Sequence, residues 1–191
     1  MDQNHCPNCL QNSKNSSKAP LEPIIVGNVF ERIQLDLIDF RHMPCGQYKW
    51  ILHIRDHYSK YTQLYALKSK HAAPIADCVA MWIMAFGSPQ IAQMDNGKEF
   101  KGALLLLLRQ WGVKIKNGAP RSPNVQGLVE QGNSVVKDKI TAWKADNGSK
   151  EWVYGLYDVA YAMNKQVHSS TKYAPYEIVK SIHQRNMLRM K

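Results

Sequence analysis

With 191 residues, 45% of them hydrophobic, the chain can bury the core of one ordinary domain and is too apolar to be a disordered segment. Its formal charge of +10 points to an anionic partner such as nucleic acid, with a solubility surface as the plainer reading. No apolar run approaches the ~20 residues of a membrane helix, no signal peptide is legible, and the four cysteines suggest no disulfide framework. A nuclear or cytosolic protein, not secreted and not in a membrane, is therefore expected.

Residues 1–23 read as a tail and linker, polar from Asn12 to Lys18 and kept extended by Pro20 and Pro23. The tail contains C-P-N-C. Cys6 and Cys9 at this spacing make half of a tetrahedral zinc site, and no second ligand pair is visible. Zinc is expected there only if further ligands lie upstream. Residues 24–183 read as one folded domain and 184–191 as a basic tail.

The domain opens with a strand over residues 31–41. Ile33, Leu35 and Leu37 alternate onto one face, and Gln34 and Asp36 share the other. A carboxylate in the middle of an apolar strand is costly unless it is charge-paired or metal-bound. Residues 49–56 and 61–67 are two further strands, joined by a turn short enough for a hairpin. The period then becomes helical over 72–86, with Ile75, Val79, Trp82 and Ile83 on one face and Gly87 as the stop. A strand over 90–94 ends at Asp95. A helix over 101–111 follows, with the run Leu104 to Leu108 buried, then a fifth strand over 113–116 and a Gly/Pro loop over 117–123.

Residues 124–143 predict an amphipathic helix. Asn133, Ser134 and Lys137 lie on the side of Glu130, and Leu128, Val129, Val135, Val136, Ile140 and Trp143 on the other. Gly127 and Gly132 each weaken it by about 1 kcal/mol relative to Ala, which packing must offset. A helix over 152–167 and a short one over 175–182 close the domain. Three strands followed by alternating helix and strand predict an α/β fold, with a five-stranded mixed sheet and helices on both faces.

Three acids then stand on three elements: Asp36 inside a strand, Asp95 at a strand end, and Glu130 on a helix that can pack beside both. Between Lys98 and Lys150 ten Lys/Arg face four acids, a surplus of six in the segment that holds Glu130. Three carboxylates in a basic surround make chemical sense as a site for two Mg²⁺ or Mn²⁺ ions acting on a phosphodiester.

The pieces E-R-I-Q-L-D, R-D-H-Y-S-K, M-D-N-G-K-E-F and P-R-S-P-N-V-Q-G-L-V-E-Q-G-N, in that order, resemble the catalytic core of the retroviral and retrotransposon integrase family. The resemblance runs from Phe30 to Val179. It implies a ribonuclease H-like fold, a catalytic and metal-binding triad at Asp36, Asp95 and Glu130, DNA as partner and a homodimer through the core. Cys6 and Cys9 resemble the last two ligands of the zinc module that precedes such cores. The variant P-R-S-P-N-V-Q-G is similar to retrotransposon-derived cellular proteins of the KRAB- or SCAN-domain type. Thirty-four residues separate Asp95 from Glu130, one fewer than the family most often has. Asn124 stands where Gln is usual, and Gln131 where Arg is usual.

The main expectation is an integrase-like polynucleotidyl transferase for DNA integration. Asn133, Lys137 and Lys144 are its expected DNA contacts. The alternatives are a domesticated, catalytically silent nucleic-acid-binding or protein-interaction module, and a plain ribonuclease H-type nuclease. Plainer readings apply elsewhere. Asp39 and Asp56 read as strand-end or surface acids, Glu99 as an early-turn acid, His53 as a satisfied core histidine, and the Tyr and Trp residues as core.

Overall fold

The computed structural model describes residues 27–117 and 123–189, with side chains left undescribed over 123–131 and from 183 onward. Five strands form one sheet: β1 (Arg32–Asp39), β2 (Trp50–Asp56), β3 (Thr62–Leu67), β4 (Ile91–Met94) and β5 (Lys114–Asn117), in the spatial order β3-β2-β1-β4-β5. β1, β2 and β3 are an antiparallel meander, whereas β4 and β5 run parallel to β1. The helices are α1 (Ala72–Phe86), α2 (Ala103–Gln110), α3 (Pro123–Asp146), α4 (Trp152–Lys165) and α5 (Pro175–Arg189). None among the described residues is long and apolar enough to cross a membrane.

Alternation along the strands splits the core in two. Ile33 and Leu35 of β1, Leu52 and Ile54 of β2, and Ala92 and Met94 of β4 point to one side. There they pack on Ile75, Val79 and Trp82 of α1 and Leu104 and Leu108 of α2. Ile38, Phe40, Ile51 and Leu64 point to the other side, against Val136 and Ile140 of α3 and Trp152, Leu156 and Val159 of α4. This second face is apolar only at one end. Toward the start of β1 the same face carries Arg32, Gln34 and Asp36, with His53 opposite Asp36 and Arg55 opposite Gln34.

Local chemistry sets the element ends. α1 stops at Gly87, whose φ of 87° suits glycine and whose N–H still reaches the Ile83 carbonyl at 2.8 Å. The β2–β3 turn is built on Asp56, whose Oδ2 accepts from the Ser59 N–H at 2.7 Å and the Ser59 hydroxyl at 2.6 Å. Asp56, the last residue of β2, is therefore a strand-end acid as expected but a buried one, because backbone and hydroxyl donors replace its water.

Other expectations need correction. The last helix continues through Arg189, past the expected basic-tail boundary, since no Gly or Pro interrupts residues 183–189. In α2, Leu106 is 66% exposed, because a helix turns the middle of a five-residue run away from the core. Val135 is exposed beside buried Val136. Trp82 and Trp152 are core, but Tyr154, Tyr157 and Tyr161 of α4 face outward. Cys6 and Cys9 lie outside the described residues.

Candidate active site

The parallel register of β1 and β4 pairs Arg32 with Ile91, Ile33 with Ala92 and Gln34 with Gln93. Two steps further, just past the end of β4, Asp95 comes level with Asp36. The charge of Asp95 reaches Asp36. Asp36 is pushed up to about 6, first by burial and then by the charge of Asp95, against a hydrogen bond from Gln34 and the charge of Arg55. Gln34 Nε2 donates to Asp36 Oδ2 at 2.8 Å. Asp95 is exposed, and its Oδ1 accepts the Gly97 N–H at 2.9 Å. A Cβ at Gly97 would lie 2.9 Å from that oxygen and 2.7 Å from the Glu99 carboxyl carbon. Glu99 therefore sits against the same turn as Asp95, where sequence reading gave it only a helix-end role.

Glu130 lies in α3, seven residues before Lys137, and its side chain is outside the described residues. Among the described residues no group of three His, Cys, Asp or Glu side chains could by itself hold a metal ion. Asn133 is half-buried, with its oxygen 3.5 Å from His53 Nδ1, so it turns toward the sheet. Lys137 is exposed. Lys144 is half-buried, its Nζ 2.9 Å from Met43 Sδ.

His53 is the satisfied buried histidine expected. It bridges Asn133 of α3 and the Thr62 hydroxyl, 3.4 Å from its Nε2, and burial first, then Arg55, pushes it down to about 4. Asn164 of α4 was not anticipated. Its amide accepts the Thr62 N–H and donates to the Thr62 carbonyl, both at 2.8 Å. Arg55 was also passed over. It opposes Gln34, acts on Asp36, and its Nη1 would lie 3.3 Å from a Cβ at Gly132. Gly132 thus leaves the room that Arg55 occupies, which gives its helix penalty a packing reason. The signal was present: alternation along W-I-L-H-I-R-D puts His53 and Arg55 on the Asp36 face.

Residues 29–123 match the family of integrase core domains. This stretch is an integrase core. KRAB-A domain-containing protein 2 of Homo sapiens is 26% identical over 90% of the chain, and the Gag-Pol polyprotein of gibbon ape leukemia virus 27% identical over 74%. The chain spans only 36% and 9% of those two proteins. The catalytic core domain of BIV integrase superposes with a TM-score of 0.64 at 22% identity, covering 82% of this chain and 98% of that one. The HTLV-2 integrase catalytic core in complex with magnesium gives 0.63 at 16%, covering 78% and 95%. Both likenesses show a ribonuclease H-like integrase-core fold. Glu130 lies past the residues matched by the family, on the helix α3 that covers the Asp36 face.

Proposed function

We propose that this chain is the catalytic core of a metal-dependent polynucleotidyl transferase that cleaves and joins DNA phosphodiesters, as in DNA integration within the nucleus. The observation that carries the reading is the Asp36–Asp95 pair: two carboxylates level on adjacent strands, with Asp36 desolvated and pushed up to about 6. A divalent cation is the partner that would relieve both burial and repulsion, and oxygen donors suit Mg²⁺ or Mn²⁺. Asp36, Asp95 and Glu130 would hold two ions, whose chemistry is to activate a water or 3′-hydroxyl and to neutralise the departing oxygen.

The chain's own residues position and bind. Gln34 orients Asp36, and the Gly97 N–H orients Asp95. Arg55 supports the Asp36 charge from the β2 side. Lys137, exposed on α3, would meet a DNA phosphate. Lys144 would join it by leaving Met43. Asn133, its oxygen turned to His53, would reach DNA through its NH₂ donors. An HTLV-2 core named for its magnesium complex and a simian T-cell lymphotropic virus intasome with a TM-score of 0.67 support the reading. An HTLV-2 core described in a dimeric form supports pairing of two copies.

A second reading, a module that keeps the fold and DNA binding without the reaction, is favoured by the likeness to a human cellular protein. Cleavage and joining of labelled DNA duplexes with Mg²⁺ or Mn²⁺, alongside Asp36→Asn, tests the proposal. Product from the wild type alone supports the enzyme. Bound DNA, no product and no Mg²⁺-dependent rise in Tm would leave the silent module.

A further inference from the structure

The polar end of the second sheet face holds more positive charge than the catalytic reading uses. Arg32 opens β1 and is 3% exposed. One nitrogen of its guanidinium donates to the neutral Gln93 amide oxygen, and its Nε has no partner. The one ion pair among the described residues is Arg41–Asp39, so Arg32 has no carboxylate there. Its backbone carbonyl accepts the His57 N–H at 2.8 Å, which sets that imidazole beside it. Lys60, at the hairpin turn, donates its ammonium to the His57 carbonyl at 2.6 Å. Arg55 is two residues before His57, and its Nη2 lies 3.0 Å from His168 Nε2.

These groups sense one another. Burial, then Lys60, Arg32 and Arg55, push His57 down to about 4, and burial, Arg55 and Lys60 lower His168. Two carboxylates face the cluster. Asp56 acts on Lys60, yet its oxygens already accept from the Phe30 and Ser59 N–H groups and the Ser59 hydroxyl. Asp36 acts on Arg55 and belongs to the metal site. A buried guanidinium without a counter-ion is costly, and an anion would relieve it.

We propose that Arg32, Arg55, His57, Lys60 and His168 form an oxyanion subsite that takes a phosphate group. Arg32 and Asp36 are four strand residues apart, so Arg32 lies about 13 Å along the sheet from Asp36, with Arg55, opposite Gln34, on the near side. Arg55 and Lys60 offer charged donors from two sides, and the His57 imidazole adds an N–H once an anion is present. His168, with Nε2 on Arg55 and Nδ1 on Ser170, holds the Arg55 guanidinium rather than the anion. Arg32 supplies fixed charge from behind. The phosphate can come from a nucleic-acid backbone or from free phosphate. The subsite does not rest on the catalytic reading, since none of the five is a metal ligand.

Thermal melts of the full chain test it, in inorganic phosphate and in chloride at matched ionic strength. Phosphate at a few multiples of its dissociation constant should raise the wild-type Tm by roughly 2–4 °C over chloride. Lys60→Met and Arg32→Met should each lose that rise, and Lys60→Arg should keep most of it. Asp36→Asn should also keep it, which separates this subsite from the metal site. Duplex DNA titrated at several salt concentrations assigns the source. A log–log salt slope shallower by about one in Lys60→Met indicates a backbone phosphate. An unchanged slope with the phosphate rise lost indicates free phosphate. Equal wild-type melts in phosphate and chloride, or a rise undiminished in Lys60→Met, would overturn the proposal; should Arg32→Met fail to fold, the Lys60 pair decides alone.

Discussion

Asp36 is where folding and chemistry conflict most directly. Its folded value of about 6 lies above the usual aspartate value of about 4, so the proton binds the folded chain more tightly than the unfolded one. That stabilising contribution is complete below the unfolded value and is lost as pH rises through about 6. At pH 7, without metal, the fold therefore carries a strained carboxylate. Asp36→Asn, which can still accept from Gln34, should raise metal-free stability at pH 7 by on the order of 2 kcal/mol. It should also abolish the Mg²⁺-dependent rise in Tm. The gain should shrink as pH falls from 7 toward 4, because the wild-type carboxyl then becomes neutral too. His53 works in the opposite sense. Held down to about 4, it costs stability as pH falls from its unfolded value of about 6.5, since the unfolded state takes the proton first. Both proteins share that loss, so it cancels in the difference between them. Urea unfolding of both at several pH values without metal checks the signs. A destabilised Asp36→Asn at pH 7 would sink the active-site assignment.

Between elements, the covering helices are locked to the sheet by a polar relay. Asn133 of α3 meets His53 of β2, His53 meets Thr62 of β3, and Thr62 is held through both backbone groups by Asn164 of α4. β3 is an edge strand, and the Asn164 amide does for Thr62 what a neighbouring strand would do. Asn164→Leu should cost about 2–4 kcal/mol, because it orphans a buried N–H and a buried carbonyl together. Asn164→Asp should cost nearly as much, since it restores only the acceptor and buries a charge. Denaturant midpoints of the two variants against wild type measure this. Such a relay was not legible in the sequence. Asn164 sits in an ordinary helical pattern, and only the docking angle of α4 brings it to Thr62. The strands, by contrast, were legible almost to the residue, because alternation and turn chemistry are local. Placing Asp36 level with Asp95 followed from pattern plus family likeness. The buried state of Asp56 did not, because it depends on donors that the turn aims at it only after folding. Leu106 misled for a similar reason: five leucines in a row say nothing about which of them a helix turns outward.

At the scale of the whole molecule, the second sheet face divides the work. Its apolar end anchors α3 and α4 through Val136, Ile140, Trp152 and Leu156, while its polar end gathers Asp36, Arg55 and the cations near the start of β1. α3 spans the boundary. Its C-terminal half is pinned by the core, and its exposed edge carries Lys137 on the Glu130 side of the helix. The formal charge of +10 supplies a general attraction for DNA, which screening weakens as salt rises. A specific contact adds to this a released counter-ion, and the two are separable. Lys137→Ala should weaken binding of duplex DNA at low salt and make the log–log salt dependence shallower by about one. Its Tm response to Mg²⁺ should be unchanged, because Lys137 neither holds metal nor packs in the core. A charge change of the same size on the far side of the sheet, such as Lys101→Ala beside α2, should lower the overall attraction and leave the slope nearly intact. Equal slopes in Lys137→Ala and wild type, with equal weakening in Lys101→Ala, would mean that DNA meets a diffuse positive surface. α3 would then have no assigned role in positioning DNA over Asp36 and Asp95.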